Sequence, residues 1–279
     1  MPDLPEIETL RRGLERETVG RRVKSAEVTV ADAVRRNGGK KGFETRLEGT
    51  KIKSVERRGS LLALTLDSGD LLVLDIGDSG RLLRAAPKDP AGPDLAVTIS
   101  FTQGGVLRLS DAEGKAEAFV VAPELLAAEV PALAELGLDP VASPVSWTAF
   151  AHALVARRNA KLKQLLLDPT FVVGLGPLYA DEILYDAGLK PDREVSTVST
   201  MEIRRLYRSL VEILHEATKH HGASTAERPF TDLTGKEGAF QAELEVWGRD
   251  GEPCRRCRGV IAKQRGGKTV TYWCPNCQV

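Results

Sequence analysis

The chain has 279 residues, 42 % hydrophobic and 28 % charged, which fits a globular protein of two domains plus a small module. Lys+Arg and Asp+Glu both number 39, which excludes an all-over basic coat for nucleic acid but leaves room for a charged face. No apolar run is long enough to cross a membrane and no secretory signal pattern opens the chain, so a membrane protein is excluded and a reducing, cytoplasmic setting is expected.

Pro5 is followed by a stretch free of Pro and Gly from Glu6 to Arg12, with Ile7, Leu10 and Leu14 at helical spacing. This predicts a helix with one buried face, with Glu6 and Glu8 well placed in its first turn and Gly13 as an interruption. From about Val23 to Val121 short apolar strands alternate with turns, most clearly at Lys51–Val55, Leu61–Asp67, Leu71–Ile76, Ala96–Phe101 and Val106–Ser110. Asp67-Ser68-Gly69-Asp70 and Gln103-Gly104-Gly105 are hairpin signals, and the whole reads as a sandwich or a barrel. The Ala-, Glu- and Pro-rich segment 123–145 is expected to be a linker. Helices follow at Trp147–Arg157 behind the N-cap Ser146, at Lys161–Leu167, at Leu178–Ala187, and from Thr200 to about His220. The turn Val172-Val173-Gly174-Leu175-Gly176-Pro177 precedes the third of these, and its backbone N–H groups can seat a phosphate at the helix N-terminus.

The chain ends in a metal-ligand pattern. Cys254-x2-Cys257 and Cys274-x2-Cys277 contain all four of its cysteines, with sixteen residues between the pairs. Two such knuckles complete the tetrahedron of one structural Zn²⁺; disulfides or spare thiols are the weaker reading in a reducing setting. Seven basic and two acidic residues lie between Trp247 and Val279, so this module is locally positive. That charge suits either a nucleic-acid clamp or a solvated face.

Three separated motifs carry a resemblance. They are Pro2-Asp3-Leu4-Pro5-Glu6-Ile7-Glu8, then Val173-Gly174-Leu175-Gly176-Pro177-Leu178-Tyr179-Ala180-Asp181-Glu182, and finally Phe240-Gln241-x2-Leu244-x-Val246-Trp247-Gly248-Arg249 leading into the cysteines. In that order the chain resembles the bacterial formamidopyrimidine-DNA glycosylase/endonuclease VIII family over its whole length. The resemblance implies an α+β fold: an N-terminal two-layer β-sandwich with an N-terminal helix (1–122), the linker (123–145), a helix–two-turns–helix DNA-binding domain (146–245) and a zinc-finger β-hairpin (246–279). It implies damaged DNA in the cleft between domains, a monomer, and a cytoplasmic, nucleoid-associated setting.

The resemblance also implies the chemistry. Once Met1 is removed, Pro2 carries a free secondary amine, with a pKa near 8 for an ordinary α-amino group. It attacks C1′ of an extruded nucleotide, expels the base and forms a Schiff base, while the next carboxyl moves the proton. Pro2, Asp3 and Glu6 are thus the expected catalytic residues. Arg58, Asn159, Lys161, Gly174, Gly176, Tyr179, Arg249, Arg265 and Lys268 are the expected DNA-binding ones. Yet the chain departs from the family at functional places. Asp3 replaces a glutamate and Ser60 a phosphate-binding lysine. Asp78 replaces the methionine that fills the gap left by the extruded base, and Asp111–Lys115 replaces the arginine and phenylalanine that complete that wedge. Pro177 replaces an asparagine, Thr269 an arginine, and Asn159 a lysine. Two expectations stand: a divergent bifunctional glycosylase/AP lyase that favours single-stranded or opened DNA, or a damage-binding protein that keeps fold and zinc but not turnover.

Overall fold

The computed structural model describes residues 2–266 and 269–279, the side chain of Asn37 excepted. The chain packs into two units, 1–134 with 221–239 and 135–220 with 240–279.

In the first unit, helix α1 (Leu4–Thr18) buries Ile7, Leu10 and Leu14 as the spacing predicts. One sheet holds β1 (Val23–Val28), β6 (Leu95–Phe101), β7 (Val106–Ser110) and β5 (Arg81–Ala85) in that order. The other holds β2 (Ile52–Arg58), β3 (Leu61–Leu66), β4 (Leu71–Asp75) and β8 (Glu117–Val121). All pairings are antiparallel, with registers such as Val97↔Leu109 and Leu64↔Leu72. The two sheets are separate and face one core in which Leu62, Leu64, Leu72 and Leu74 meet Val97, Ile99, Leu107 and Leu109. This resolves the choice between barrel and sandwich in favour of the sandwich.

Strands β1, β5 and β8 and helix α2 (Lys40–Leu47) lie outside the clearest sequence signals. The reason is visible in β8, where Glu117–Val121 is buried throughout and therefore shows no alternation. Its outward residues Phe119 and Val121, with Leu61, Leu71 and Val73, are covered by Leu126, Val130 and Leu133. The first half of the expected linker is thus a lid on the second sheet, carrying helix α3 (Leu126–Glu129), and the unit runs to Ala134.

The segment His221–Ala239, expected within the helical domain, packs instead on the first unit. Phe230 and Leu233 join the sandwich core, and burying such side chains contributes about 1.5–3 kcal/mol each. The Arg84 N–H donates to the Leu233 carbonyl at 2.7 Å. This explains the interruption at Gly13: a Cβ there would sit 3.0 Å from Leu233 Cδ1.

The second unit contains α4 (Trp147–Val155), α5 (Leu162–Leu166), α6 (Pro177–Ala187) and α7 (Thr200–Lys219), then the antiparallel pair β9 (Ala262–Gly266) and β10 (Thr269–Trp273). Ser146 caps α4 by accepting from the Ala149 N–H, and Ser199 with Glu202 forms a capping box on α7. Among the described residues no helix is long and apolar enough to cross a membrane.

Candidate active site and zinc centre

The start of α1 gathers carboxylates. Asp3 occupies the N-cap position but makes no cap hydrogen bond. Its side chain turns instead to Arg228, whose Nη1 donates to Oδ2 at 2.6 Å and Nη2 to Oδ1 at 2.8 Å. Asp3 is only 6 % exposed. Burial raises its pKa above the ordinary aspartate value, while the charge and hydrogen bonds of Arg228 pull the other way.

One turn on, Glu6 is 4 % exposed, and its Oε1 accepts from the Ala223 N–H at 2.7 Å. The neighbouring Gly222 has φ +81°, and a Cβ on it would lie 2.7 Å from Glu6 Oε1, so only glycine fits this approach. Glu8 faces the other side of the helix and pairs with Arg11, Arg12 and Arg57. Burial works against its ionisation, but the hydrogen bonds from Arg11 and Arg12 prevail and hold its pKa below the usual glutamate value.

Pro2 precedes this cluster and is partly exposed; Met1, whose removal would free its amine, lies outside the described residues. The structure therefore brings Pro2, Asp3 and Glu6 together in the first unit and adds Arg228 and the Ala223 N–H from a segment more than 200 residues away. Nothing in local spacing marks those two, because the loop that carries them is polar and aperiodic.

The positions that depart from the family are also clear. Ser60 sits between β2 and β3, after a turn in which Arg57 Nη1 donates to the Gly59 carbonyl at 3.0 Å. Arg58 is exposed, with its guanidinium 3.7 Å from Glu56. Asp78 lies on the β4–β5 turn with its side chain 62 % exposed, 4.0 Å from Lys115 Nζ. Asp111 folds its own turn, accepting from the Ser79 hydroxyl and from the N–H groups of Glu113 at 3.0 Å and Ala116 at 2.6 Å. This segment is a closed, acidic turn rather than an apolar plug.

In the second unit, Gly176 caps α6 and Pro177 begins it, as the turn pattern predicts, and Gly174 stands two residues before the cap. Asn159, Lys161 and Arg265 are exposed. Tyr179, an expected DNA-binding residue, is 0 % exposed with its ring 5.8 Å from that of Phe240, so its ring is a core group. Arg249 is also drawn inward, donating to the Glu245 carbonyl at 2.7 Å and pairing with Glu252 at 2.9 Å. It braces the entry to the zinc hairpin instead of projecting as a free cation. Lys268 lies outside the described residues.

The acidic pair of the middle motif has a structural use that spacing alone does not show. Glu182 accepts three N–H bonds, from Glu245 at 2.9 Å, Val246 at 3.0 Å and Trp247 at 2.8 Å. Burial raises its pKa, and these donors oppose the rise. Asp181 accepts from the Tyr272 N–H at 2.8 Å and pairs with Lys163 at 2.5 Å, while Lys163 Nζ donates to the Val270 carbonyl at 2.8 Å. Burial pushes Asp181 up to about 7 against the pull of Lys163, and pushes Lys163 down. Helix α6 thus holds both the connector into the zinc module and strand β10.

The Sγ atoms of Cys254, Cys257, Cys274 and Cys277 lie within 4.8 Å of one another. Two of the separations are 3.8 Å, Cys254 to Cys277, and 3.5 Å, Cys257 to Cys274. A tetrahedral zinc with Zn–S bonds of about 2.3 Å needs sulfurs roughly 3.8 Å apart. The four thiolates therefore fit one structural Zn²⁺ with no open position. Gln278 secures the second knuckle, accepting from the Cys274 N–H and donating to the Leu189 carbonyl, both at 2.8 Å.

Comparison with known proteins agrees with this geometry. Residues 1–116 match the model of the formamidopyrimidine-DNA glycosylase N-terminal domain, 136–228 the H2TH domain of the same family, and 251–279 the zinc finger found in FPG and IleRS. The formamidopyrimidine-DNA glycosylase of Geobacillus kaustophilus is 37 % identical over 282 residues, covering 100 % of both chains. That of Pelotomaculum thermopropionicum is 35 % identical over 278 residues, covering 100 % of this chain and 99 % of the other. The Lactococcus lactis Fpg, solved in complex with DNA containing an abasic site, matches with a TM-score of 0.88 at 30 % identity, over 99 % of each chain.

Proposed function

We propose that this chain, which belongs to the formamidopyrimidine-DNA glycosylase family, is a base-excision repair glycosylase that removes damaged bases and then cleaves the abasic site. The observation that carries the reading is the convergence of buried Asp3 and Glu6 directly behind Pro2. With Met1 removed, the lone pair of the Pro2 amine forms the N–C1′ bond. The glycosidic bond breaks, and its electron pair leaves with the base, which takes up a proton. Asp3 is the proton carrier, receiving the amine's proton and passing it on. Glu6 positions the loop that begins at Gly222. β-Elimination from the resulting Schiff base nicks the strand.

Exposed Asn159, Lys161 and Arg265, with Arg58 and the N-terminus of α6 at Gly174 and Gly176, are the proposed contacts to the phosphate backbone. DNA as the substrate implies a cytoplasmic, nucleoid-associated protein. Extruding a nucleotide from a duplex costs a few kcal/mol in lost stacking and pairing. Exposed Asp78 and the acidic turn at Asp111 offer little to offset that cost, which favours single-stranded or opened DNA as substrate. One observation favours a second reading, a damage-binding protein without turnover: Ser60 stands where the family resemblance calls for a lysine.

Intact mass followed by borohydride trapping on single-stranded and duplex abasic DNA decides between them. A mass lacking Met1, with a covalent adduct that Pro2→Gly abolishes, supports the enzyme. Tight binding with no adduct supports the binding protein.

A further inference from the structure

The loop from Gly222 to Phe230 is fastened to the start of α1 at two points, the Ala223 N–H on Glu6 and the Arg228 fork on Asp3. Beyond the second point it is anchored by Phe230 and Leu233 in the sandwich core. The loop is shaped to present Arg228: Thr225 and Arg228 exchange N–H···O bonds of 3.1 Å, and the Thr225 hydroxyl accepts a further one from the Arg228 N–H. The pairing is bidentate, a geometry that matches a planar guanidinium to a carboxylate and that lysine cannot reproduce. A carboxylate as buried as Asp3 needs such a partner to stay ionised. Asp3 is also one methylene shorter than glutamate, so its reach depends more on how its carboxyl is held.

We propose that Arg228 is a positioning residue of the excision step: its fork holds the Asp3 carboxyl in orientation and keeps it an anion, ready to take the proton of the attacking amine. The proposal rests on the reading of Asp3 as proton carrier. While paired, the carboxyl is an anion whose lone pairs point at Arg228. Held in that orientation, it takes up the proton lost by the attacking amine. That proton then goes to the base, which leaves with the glycosidic electron pair. Glu6, on the same helix, is engaged by the Ala223 N–H. Asp78, on the β4–β5 turn, has Lys115 Nζ 4.0 Å away.

The test is a titration of the Asp3 carboxyl by carbon-13 NMR in the full chain. Arg228→Met should raise its midpoint by about 1–3 units, the usual effect of an adjacent arginine on an aspartate. Arg228→Lys, which keeps the charge without the fork, should fall between this variant and the parent chain. An unmoved midpoint in a folded Arg228→Met overturns the proposal. The kinetic arm follows base excision against pH: the limb below which excision falls should move upward with the NMR midpoint, while borohydride trapping on a preformed abasic site stays put. In an Asp3→Asn background, Arg228→Met should change excision by less than about twofold, because coupled residues are not additive. The same loss in both backgrounds would assign Arg228 to the DNA instead and overturn the proposal. If the parent chain excises no base, the reading of Asp3 as proton carrier falls, and the titration still decides the pairing.

Discussion

Glu182 gives a sharp test of how the second unit is held together. Its carboxylate accepts three backbone N–H bonds within 3.0 Å, from Glu245, Val246 and Trp247, and it is only 3 % exposed. With three donors aimed at it, the ionised form is the one that matches. In Glu182→Gln, Oε1 keeps its two partners at neutral strength, but the amide NH₂ meets the Glu245 N–H as donor against donor. A hydrogen bond to a charged group contributes about 1.5–3 kcal/mol, and a stranded buried donor costs about 1–3 kcal/mol. The substitution should therefore destabilise the second unit by about 3 kcal/mol, and Glu182→Ala, which strands all three donors, by more. All three tryptophans, Trp147, Trp247 and Trp273, fall in this unit, so tryptophan emission in urea reports on it selectively. With a slope of about 2 kcal/mol per molar, the midpoint should drop by about 1.5 M. A midpoint within about 0.3 M of the parent, at unchanged slope, would show that the connector does not depend on this carboxylate, and the reasoning would be wrong.

Three further outcomes are expected. Replacing any of Cys254, Cys257, Cys274 or Cys277 by Ser should release the metal and weaken DNA binding while circular dichroism still shows the folded sandwich; metal analysis well below one equivalent in fresh, chelator-free parent protein would contradict the zinc assignment. Glu202 is held at about 2, chiefly by hydrogen bonds from Arg193, against an ordinary 4.5. Because the folded value is the lower one, its stabilisation is complete above the unfolded value and is lost as the pH falls toward 2; Glu202→Gln should flatten the acid side of the tryptophan-detected stability curve, and an unchanged slope would refute this. Asp78→Met should narrow the preference for opened over paired DNA carrying the same lesion; equal affinity and activity of the parent chain on both forms, at one stated salt concentration, would remove the basis for that preference.

What the sequence determined by itself was local. The 3.6-residue spacing of Ile7, Leu10 and Leu14, the cap at Ser146, the Gly-Pro start of α6 and the two cysteine knuckles each depend on neighbours a few residues away, and each appears in the structure as the spacing implies. The family resemblance added the expectation of Pro2 as nucleophile with Asp3 and Glu6 as its carboxylates, since it rests on short contiguous motifs. What only the tertiary structure decided were pairings across long separations. Asp3 looks like an N-cap until Arg228 claims it, and Glu182 looks like a surface helix acid until three N–H groups of the connector close on it. The ring of Tyr179 is placed in the core and the guanidinium of Arg249 on the carbonyl of Glu245, neither of which their motifs show. Segment 221–239 has little periodicity and few apolar residues, so nothing in it announces that Phe230 and Leu233 complete a core built from the other end of the chain. The physical reason is the same in each case: hydrogen bonding and burial satisfy a group through whatever the fold brings within about 3 Å, and that partner leaves no trace in the spacing of the group's own neighbours.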